Sequence, residues 1–307
     1  MENKKTSKLF YNVVYSKMGI TIKESFPTLD EATKDYNEKL RLDKLGYFDD
    51  RFVIRIEDNK GAHINISNHK LNKFKSIAII TARGGSKRIH KKNIKHFCGK
   101  PIIAYSIEAA LNSGLFDEVM VSTDDEEIAS ISKEYGAKIP FFRSEKTADD
   151  HSGLSDVIEE VKKEYQKRKV QFDFICCILP TAPFLSISNL KKGVELLIEK
   201  NADVTLPIVR FSYPIQRAFK INNEKLEMFY PQFYKYRSQD LESAFHDSGQ
   251  FYWMKFDKLL ESENKFGFEI PEIQAQDIDT KDDWNLAEFK YKLMNDSKND
   301  TTTHNKV

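Results

Sequence analysis

From Ser76 onward the chain alternates short, unbroken apolar runs with amphipathic stretches, and that alternation limits its fold more than any other feature. Ile77–Thr81 and Phe172–Leu179 are apolar nearly throughout, and Glu118–Thr123 and Asp203–Val209 repeat the pattern. A strand that is apolar on both faces has to be covered on both faces, which is the situation of a parallel sheet flanked by helices. Helices are predicted in the intervals. One has Pro101 at its first position and Ile102, Tyr105, Ile107 and Ala109–Leu111 behind it. Another covers Glu126–Tyr135 and is closed by Gly136, and a third covers Ser188–Glu199. The expectation is an α/β protein built on a Rossmann-like parallel sheet. Phe211–Trp253 breaks the rhythm with a dense set of aromatics plus Arg217, Arg237, His246 and Asp247. It reads as strands and loops added to the sheet, lining a pocket or a subunit contact.

Residues 1–75 read as a separate small α+β domain of unassigned role. Tyr11–Tyr15 and Phe52–Ile56 have strand composition. Between them Thr28 and Glu31 form a capping box that opens a helix to about Leu40, giving a βαβ-type unit. Asp58–Asn72, with Asn59, Gly61, Asn65, Ser67 and Asn68, reads as a turn and linker. The main domain then spans 76–294, and the polar stretch 295–307 reads as a disordered tail. With 48 basic and 47 acidic residues, the chain lacks the excess charge of an extended nucleic-acid surface or a polybasic membrane patch. No apolar run reaches the roughly 18 residues of a membrane span. The opening MENKKTSKLF has no apolar signal core, so the cytoplasm is the expected location. Cys98, Cys176 and Cys177 are odd in number and hold two neighbours that face opposite ways on a strand, so they read as buried, reduced and structural.

The segment Ala82-Arg83-Gly84-Gly85-Ser86-Lys87-Arg88-Ile89-His90-Lys91-Lys92-Asn93 directly follows the first strand of the main domain. Ligands of open α/β sheets bind at such strand ends. The paired glycines let backbone N–H groups approach a phosphate chain, and Arg83, Lys87, Arg88, Lys91 and Lys92 supply the charge to clamp it. Neither a Walker motif nor a GxGxxG fingerprint is present. Asp124, after the second strand, suits a metal or a ribose, or equally a helix cap shared with Asp125. Asp277 and Asp279 are two residues apart, so on extended chain both carboxylates face one way and can grip one Mg²⁺. Leu179–Phe184, with Pro180, Thr181 and Pro183, is a stiff loop at a strand end where a base could rest, or simply a structural turn. His246–Trp253 combines polar and aromatic groups suited to a sugar pocket. Its consecutive His, Asp and Ser cannot form a hydrolytic triad, whose members come from separated segments.

Ile79–Lys87 followed by Lys92-Asn93 resembles the signature of the CMP–sialic acid synthetases, the acylneuraminate cytidylyltransferases. The similarity continues through Val121–Asp124, Arg143–Asp150, Pro180–Pro183 and Gln276–Asp279, covering about Ser76 to Leu293. Within the family, Arg237–Glu242 and His246–Trp253 resemble the pseudaminic acid branch. The resemblance implies a nucleotidyltransferase of the nucleotide-diphospho-sugar transferase type, a homodimer with a segment swapped in near mid-chain. The implied reaction is attack of the anomeric hydroxyl of an acidic nine-carbon sugar on the α-phosphate of CTP, with Mg²⁺ as cofactor. It assigns Arg83 and Lys92 to catalysis, and Ala82, Gly84, Gly85, Ser86, Lys87, Asn93, Arg143 and Thr181 to the nucleotide. Arg237, Gln239, His246, Asp247, Gln250 and Tyr252 fall to the sugar, and Asp277, Asp279 and Asp124 to the metal. Thr81 stands where the family commonly has proline. Leu179 stands where sialic acid enzymes have a glutamine, which argues for another sugar. Legionaminic acid, sialic acid or an octulosonate is the alternative acceptor. A nucleotide-binding subunit without catalysis, with residues 1–75 contacting a protein partner, is the alternative of another class.

Overall fold

The computed structural model describes residues 11–17, 20–44, 54–58, 60, 63–64, 74–148 and 152–303. The opening decapeptide, Phe52, the linker residues Asn59, Gly61, Asn65, Ser67 and Asn68, and Asp149 and Asp150 lie outside the described residues. The chain divides into two compact units, Met1–Phe74 and Lys75–Val307.

In the first unit β1 (Tyr11–Lys17) lies between β2 (Ile20–Phe26) and β3 (Ile54–Glu57), and β4 (His63–Ile64) pairs with β3. Helix α1 (Leu29–Lys44) connects β2 to β3 in the chain, and the Glu31 amide donates to Thr28 Oγ1 at 3.2 Å as the capping box requires. All three strand pairings are antiparallel, so the βαβ reading is corrected. The missing element is β2, which turns the first strand into a hairpin. Val13, Tyr15, Ala32 and Ile56 form this unit's core. Lys39 is buried there against Glu24 at 2.7 Å and Asp35, with its ammonium 4.6 Å from the Tyr15 ring centre.

The second unit opens with β5 (Ser76–Thr81), every residue of which is buried. The small hairpin β6 (His96–Phe97) and β7 (Lys100–Pro101) follows, then α2 (Ile102–Ser113), with Pro101 immediately before it. Next come β8 (Glu118–Ser122), α3 (Glu126–Glu134), the short α4 (Glu145–Ala148) and α5 (Leu154–Lys167). Then follow β9 (Phe174–Ile178), α6 (Ile187–Glu199) and β10 (Val204–Arg210). An exposed arm carries the hairpin β11 (Phe219–Asn222) and β12 (Lys225–Met228). The chain closes with β13 (Phe245–Asp247), β14 (Phe251–Lys255), β15 (Lys265–Glu269) and α7 (Lys281–Thr303).

β8, β5 and β9 form the parallel part of a seven-stranded sheet, with β5 in the middle. β14 enters antiparallel between β9 and β10, and β10 also carries β13 and the parallel β15. The sheet is therefore mixed, with β13 and β14 from the aromatic stretch joined to it. Cys177 lies in the core with Ile77, Ile79, Met120 and Ile175, and its neighbour Cys176 is equally buried. All three thiols are free, and burial pushes that of Cys177 up to about 12; Cys98 is only partly buried. α5 covers this core with Val157, Ile158, Val161 and Tyr165. Burying a side chain of that kind contributes about 1.5–3 kcal/mol. α7 runs to Thr303, past the domain end placed at 294, so 295–303 is helix where a disordered tail was expected. Those residues are polar but hold no glycine or proline to stop a helix.

Candidate active site

The Ala82–Asn93 loop leaves the sheet at the carboxyl end of β5, where the Ala82 amide still donates to Ser122 O of β8 at 3.0 Å. The loop then folds on itself, with Ser86 N donating to Gly84 O at 2.9 Å. Gly84 N donates to Asp124 Oδ1 at 2.9 Å. A Cβ at Gly84 would stand 2.7 Å from Asp125 Oδ2, so a larger residue there would push the Asp125 side chain aside. The two acids divide their work. Asp125 caps α3 by accepting from Glu127 N at 2.8 Å and Ile128 N at 3.0 Å, while Asp124 ties down the loop. Among the described residues no group of three His, Cys, Asp or Glu side chains is placed to hold a metal.

Asn93 is buried, and its Nδ2 donates to Arg83 O at 2.9 Å, so its amide shapes the loop backbone. Lys92 reaches across to the acidic segment, donating to Ile278 O at 2.6 Å and lying 3.3 Å from Asp279 Oδ1. Arg88 Nη2 is 2.9 Å from the same oxygen. Lys91 points elsewhere, to an ion pair with Glu127. Arg83, Ser86, Lys87, Arg88, Ile89, Lys92 and Asp279 line a cleft of about 270 Å³.

Arg143 is buried and braces the end of β8, its Nη2 donating to Ser122 O at 2.7 Å and its Nε to Ser122 Oγ at 3.1 Å. Burial lowers its pKa from the ordinary value, opposed by the nearby Asp124 and Glu160 charges. Thr181 is buried in the turn after β9.

Ile278 is fully buried between Asp277 and Asp279 and anchors the segment that carries the two carboxylates. Asp283 fixes the segment's far end, its Oδ2 accepting from Asp279 N at 3.1 Å and Thr280 N at 2.7 Å. Partial desolvation and the Asp279 charge push the Asp277 carboxyl above the usual range, with Lys92 opposing. Two like-charged hard-oxygen groups beside a basic cleft fit Mg²⁺, which commonly takes one or two carboxylates and completes its shell with substrate phosphates and water.

The turn between β13 and β14 abuts this segment. Gly249 there has φ +67, and a Cβ on it would lie 3.9 Å from Asp277 Cβ. Asp247 Oδ1 accepts from Gly249 N at 2.7 Å, and its Oδ2 accepts from Tyr252 Oη at 2.5 Å. Gln250 is buried and its Nε2 donates to Gln274 O at 2.5 Å, tethering the acidic segment to β14. His246 packs on Phe211, ring centres 4.9 Å apart. Arg237 and Gln239 lie on the exposed arm, where Arg237 Nε donates to Asp240 Oδ2 at 2.8 Å. The residues assigned to the sugar thus fall into two groups, one beside Asp277 and one on the arm. Sequence reasoning missed the Arg88–Asp279 contact, the Gln250 tether, and the grip of Lys290 on Ala275 O at 2.9 Å, none of which has a local signal.

A glycine-rich basic loop behind the central strand, facing paired carboxylates, is the arrangement of a nucleotidyltransferase. Residues 77–270 match the family model described as cytidylyltransferase, and the chain belongs to that family. The pseudaminic acid cytidylyltransferase of Campylobacter jejuni strain 81-176 is 42% identical over 231 residues, 73% of this chain and 99% of the relative. The CMP-N,N'-diacetyllegionaminic acid synthase of Legionella pneumophila is 31% identical, with 71% and 95% covered. A solved CMP:2-keto-3-deoxy-manno-octonic acid synthetase in complex with CTP shares the fold, with TM-score 0.53 at 20% identity over 72% of this chain and 99% of its own.

Proposed function

We propose that this chain transfers CMP from CTP to the anomeric hydroxyl of a nonulosonic acid, pseudaminic acid foremost, and releases pyrophosphate. The observation that carries this reading is the single cleft in which Arg83, Lys87, Arg88 and Lys92 face Asp279. The similarity to pseudaminic acid cytidylyltransferases over nearly their whole length supports the acceptor. In the reaction the sugar hydroxyl oxygen bonds to the α-phosphorus and the bond to the bridging oxygen of the β-phosphate breaks. The hydroxyl proton passes to solvent. Arg83 and Lys92 stabilise the charge that develops on the transferring phosphate, the usual demand of phosphoryl chemistry. Gly85, with open space where a side chain would stand, would let the loop backbone come close to the triphosphate, and the Ser86 and Lys87 side chains line the same cleft. Asp277 and Asp279 would hold Mg²⁺, which would neutralise triphosphate charge and acidify the attacking hydroxyl. Asp247, Tyr252 and His246 would border the sugar.

The arm supports a homodimer. Tyr213 is 86% exposed, Ile221 76%, Leu226 69% and Tyr234 71%, large apolar side chains of the kind a second copy would cover. Residues 1–75 precede the family match, and their two described buried charges are both paired, Lys39 with Glu24 and Asp35, and Glu57 with Lys23. A protein contact suits them better than chemistry. No helix among the described residues is long and apolar enough to cross a membrane. The cytoplasm, where CTP is made, suits the reading. The legionaminic acid relative favours a second acceptor of the same class.

The test is pyrophosphate release with a nucleotide panel in the presence of pseudaminic acid and Mg²⁺. Turnover with CTP well above that with UTP, ATP or GTP, and a CMP-sugar product by mass, is expected. Tight CTP binding without turnover would favour the non-catalytic subunit instead.

A further inference from the structure

We propose that Arg88 is a placeholder cation. In the nucleotide-free chain its guanidinium occupies the Asp279 carboxylate that the divalent ion takes up, and on nucleotide binding it exchanges onto the triphosphate. The inference rests on the metal reading of Asp277 and Asp279 given above.

Arg88 Nη2 and Lys92 Nζ converge on one oxygen, Asp279 Oδ1, at 2.9 and 3.3 Å. The two cations are not equally held. Lys92 is also bonded to Ile278 O at 2.6 Å, and its side chain is only 20% exposed. The Arg88 side chain is 67% exposed. An exposed ion pair contributes little and is easily parted. Lys92 is therefore the fixed member and Arg88 the one that can leave.

A divalent ion on Asp277 and Asp279 would face a guanidinium on the same carboxylate, and the like charges repel. The displaced guanidinium has somewhere to go, because Arg88 lines the cleft with Arg83, Ser86, Lys87 and Lys92. Its planar fork of donors fits phosphate oxygens, which a lysine ammonium meets only as a point charge. The exchange ties the two binding events together. Metal alone has to expel Arg88 into water, whereas metal arriving with a triphosphate gives Arg88 a new partner. By linkage, nucleotide and metal then raise each other's affinity by the same factor.

The experiment measures Mn²⁺ binding by electron paramagnetic resonance on the full chain at fixed ionic strength, with and without CTP and without sugar. Arg88→Gln should bind Mn²⁺ alone roughly two- to fivefold more tightly than wild type. It should bind CTP more weakly, so the gain in Mn²⁺ affinity on adding CTP shrinks. Arg88→Lys should fall between the two, and melting curves should show all variants folded. Loss of a merely structural contact would weaken both ligands together. Unchanged or weaker Mn²⁺ binding by Arg88→Gln overturns the proposal. Asp279→Asn separates the two readings. If Asp279→Asn loses Mn²⁺ while Arg88→Gln behaves as wild type, the placeholder fails and the metal site stands. If Asp279→Asn binds Mn²⁺ normally, the metal site fails and the placeholder falls with it.

Discussion

The Ala82–Asn93 loop is dense in cations and the arm in exposed aromatic and aliphatic side chains, yet the fold treats them in opposite ways. In the loop, Gly84 is bonded to Asp124 just past β8, Asn93 to Arg83 O within the loop, and Lys92 to Ile278 O of the acidic segment, so the loop is held by itself and by two other segments. In the arm, the hairpin β11–β12 is exposed along nearly its whole length, and Arg237 is bonded only to a neighbour three residues on. The arm's neck is fixed, because Arg210 holds Glu269 through two hydrogen bonds of 3.0 Å and lies 4.8 Å from the Phe245 ring centre. Groups that stabilise developing charge work best when already in place, and the proposed role of the loop fits its internal ties. The arm presents apolar groups whose packing a second copy would complete.

The sharpest way to break this contrast is to remove one cation from the loop. Arg83→Ala should lower kcat/KM for CTP at least ~100-fold, about 2.7 kcal/mol or more of transition-state stabilisation. It should leave the assembly state intact. A pyrophosphate assay giving a rate within threefold of wild type would take Arg83 out of the mechanism. On the arm the pattern should invert. Ile221→Asp with Leu226→Asp should convert dimer to monomer in sedimentation while CTP affinity holds, since each such side chain contributes about 1.5–3 kcal/mol where it is buried. A dimer that survives both changes would mean the copies meet elsewhere. A smaller effect tests the loop's footing. Gly84→Ala should lower stability by about 1–3 kcal/mol in a denaturant melt, because its Cβ drives Asp125 from its cap. The subtlest is a titration in the metal-free chain. Desolvation and Asp279 both favour neutral Asp277, so Asp277 takes up its proton at higher pH than an ordinary aspartate as the pH falls. Asp279→Asn should move that titration to lower pH, read from the carboxyl ¹³C shift.

The sequence exposed the loop and the paired aspartates because both are local patterns. Glycines and cations directly follow an apolar strand, and an apolar residue stands between two acids. β5, β8, β9 and α6 were legible for the same reason, since burial on one or two faces leaves a period in the sequence. α5 carries such a period in Leu154, Val157, Ile158, Val161 and Tyr165, and it went unread. β2 shows a weaker one in Ile20, Ile22 and Phe26, and missing it turned an antiparallel sheet into a supposed crossover unit. What no local pattern could carry is pairing at a distance. Lys92 meets Ile278 O across 186 residues, and β14 enters the sheet antiparallel between β9 and β10. Arg143 and Asn93 show the other limit. Their residue types suggested contacts to the nucleotide but carried no signal of the bonds they make to Ser122 and Arg83 O within the chain.

The most direct measurement is pyrophosphate release from CTP with Mg²⁺ and, in turn, pseudaminic, legionaminic and N-acetylneuraminic acids. The account predicts release with pseudaminic acid far above the other two, and none without an acid. Release from none of the three by folded, CTP-binding protein would contradict it.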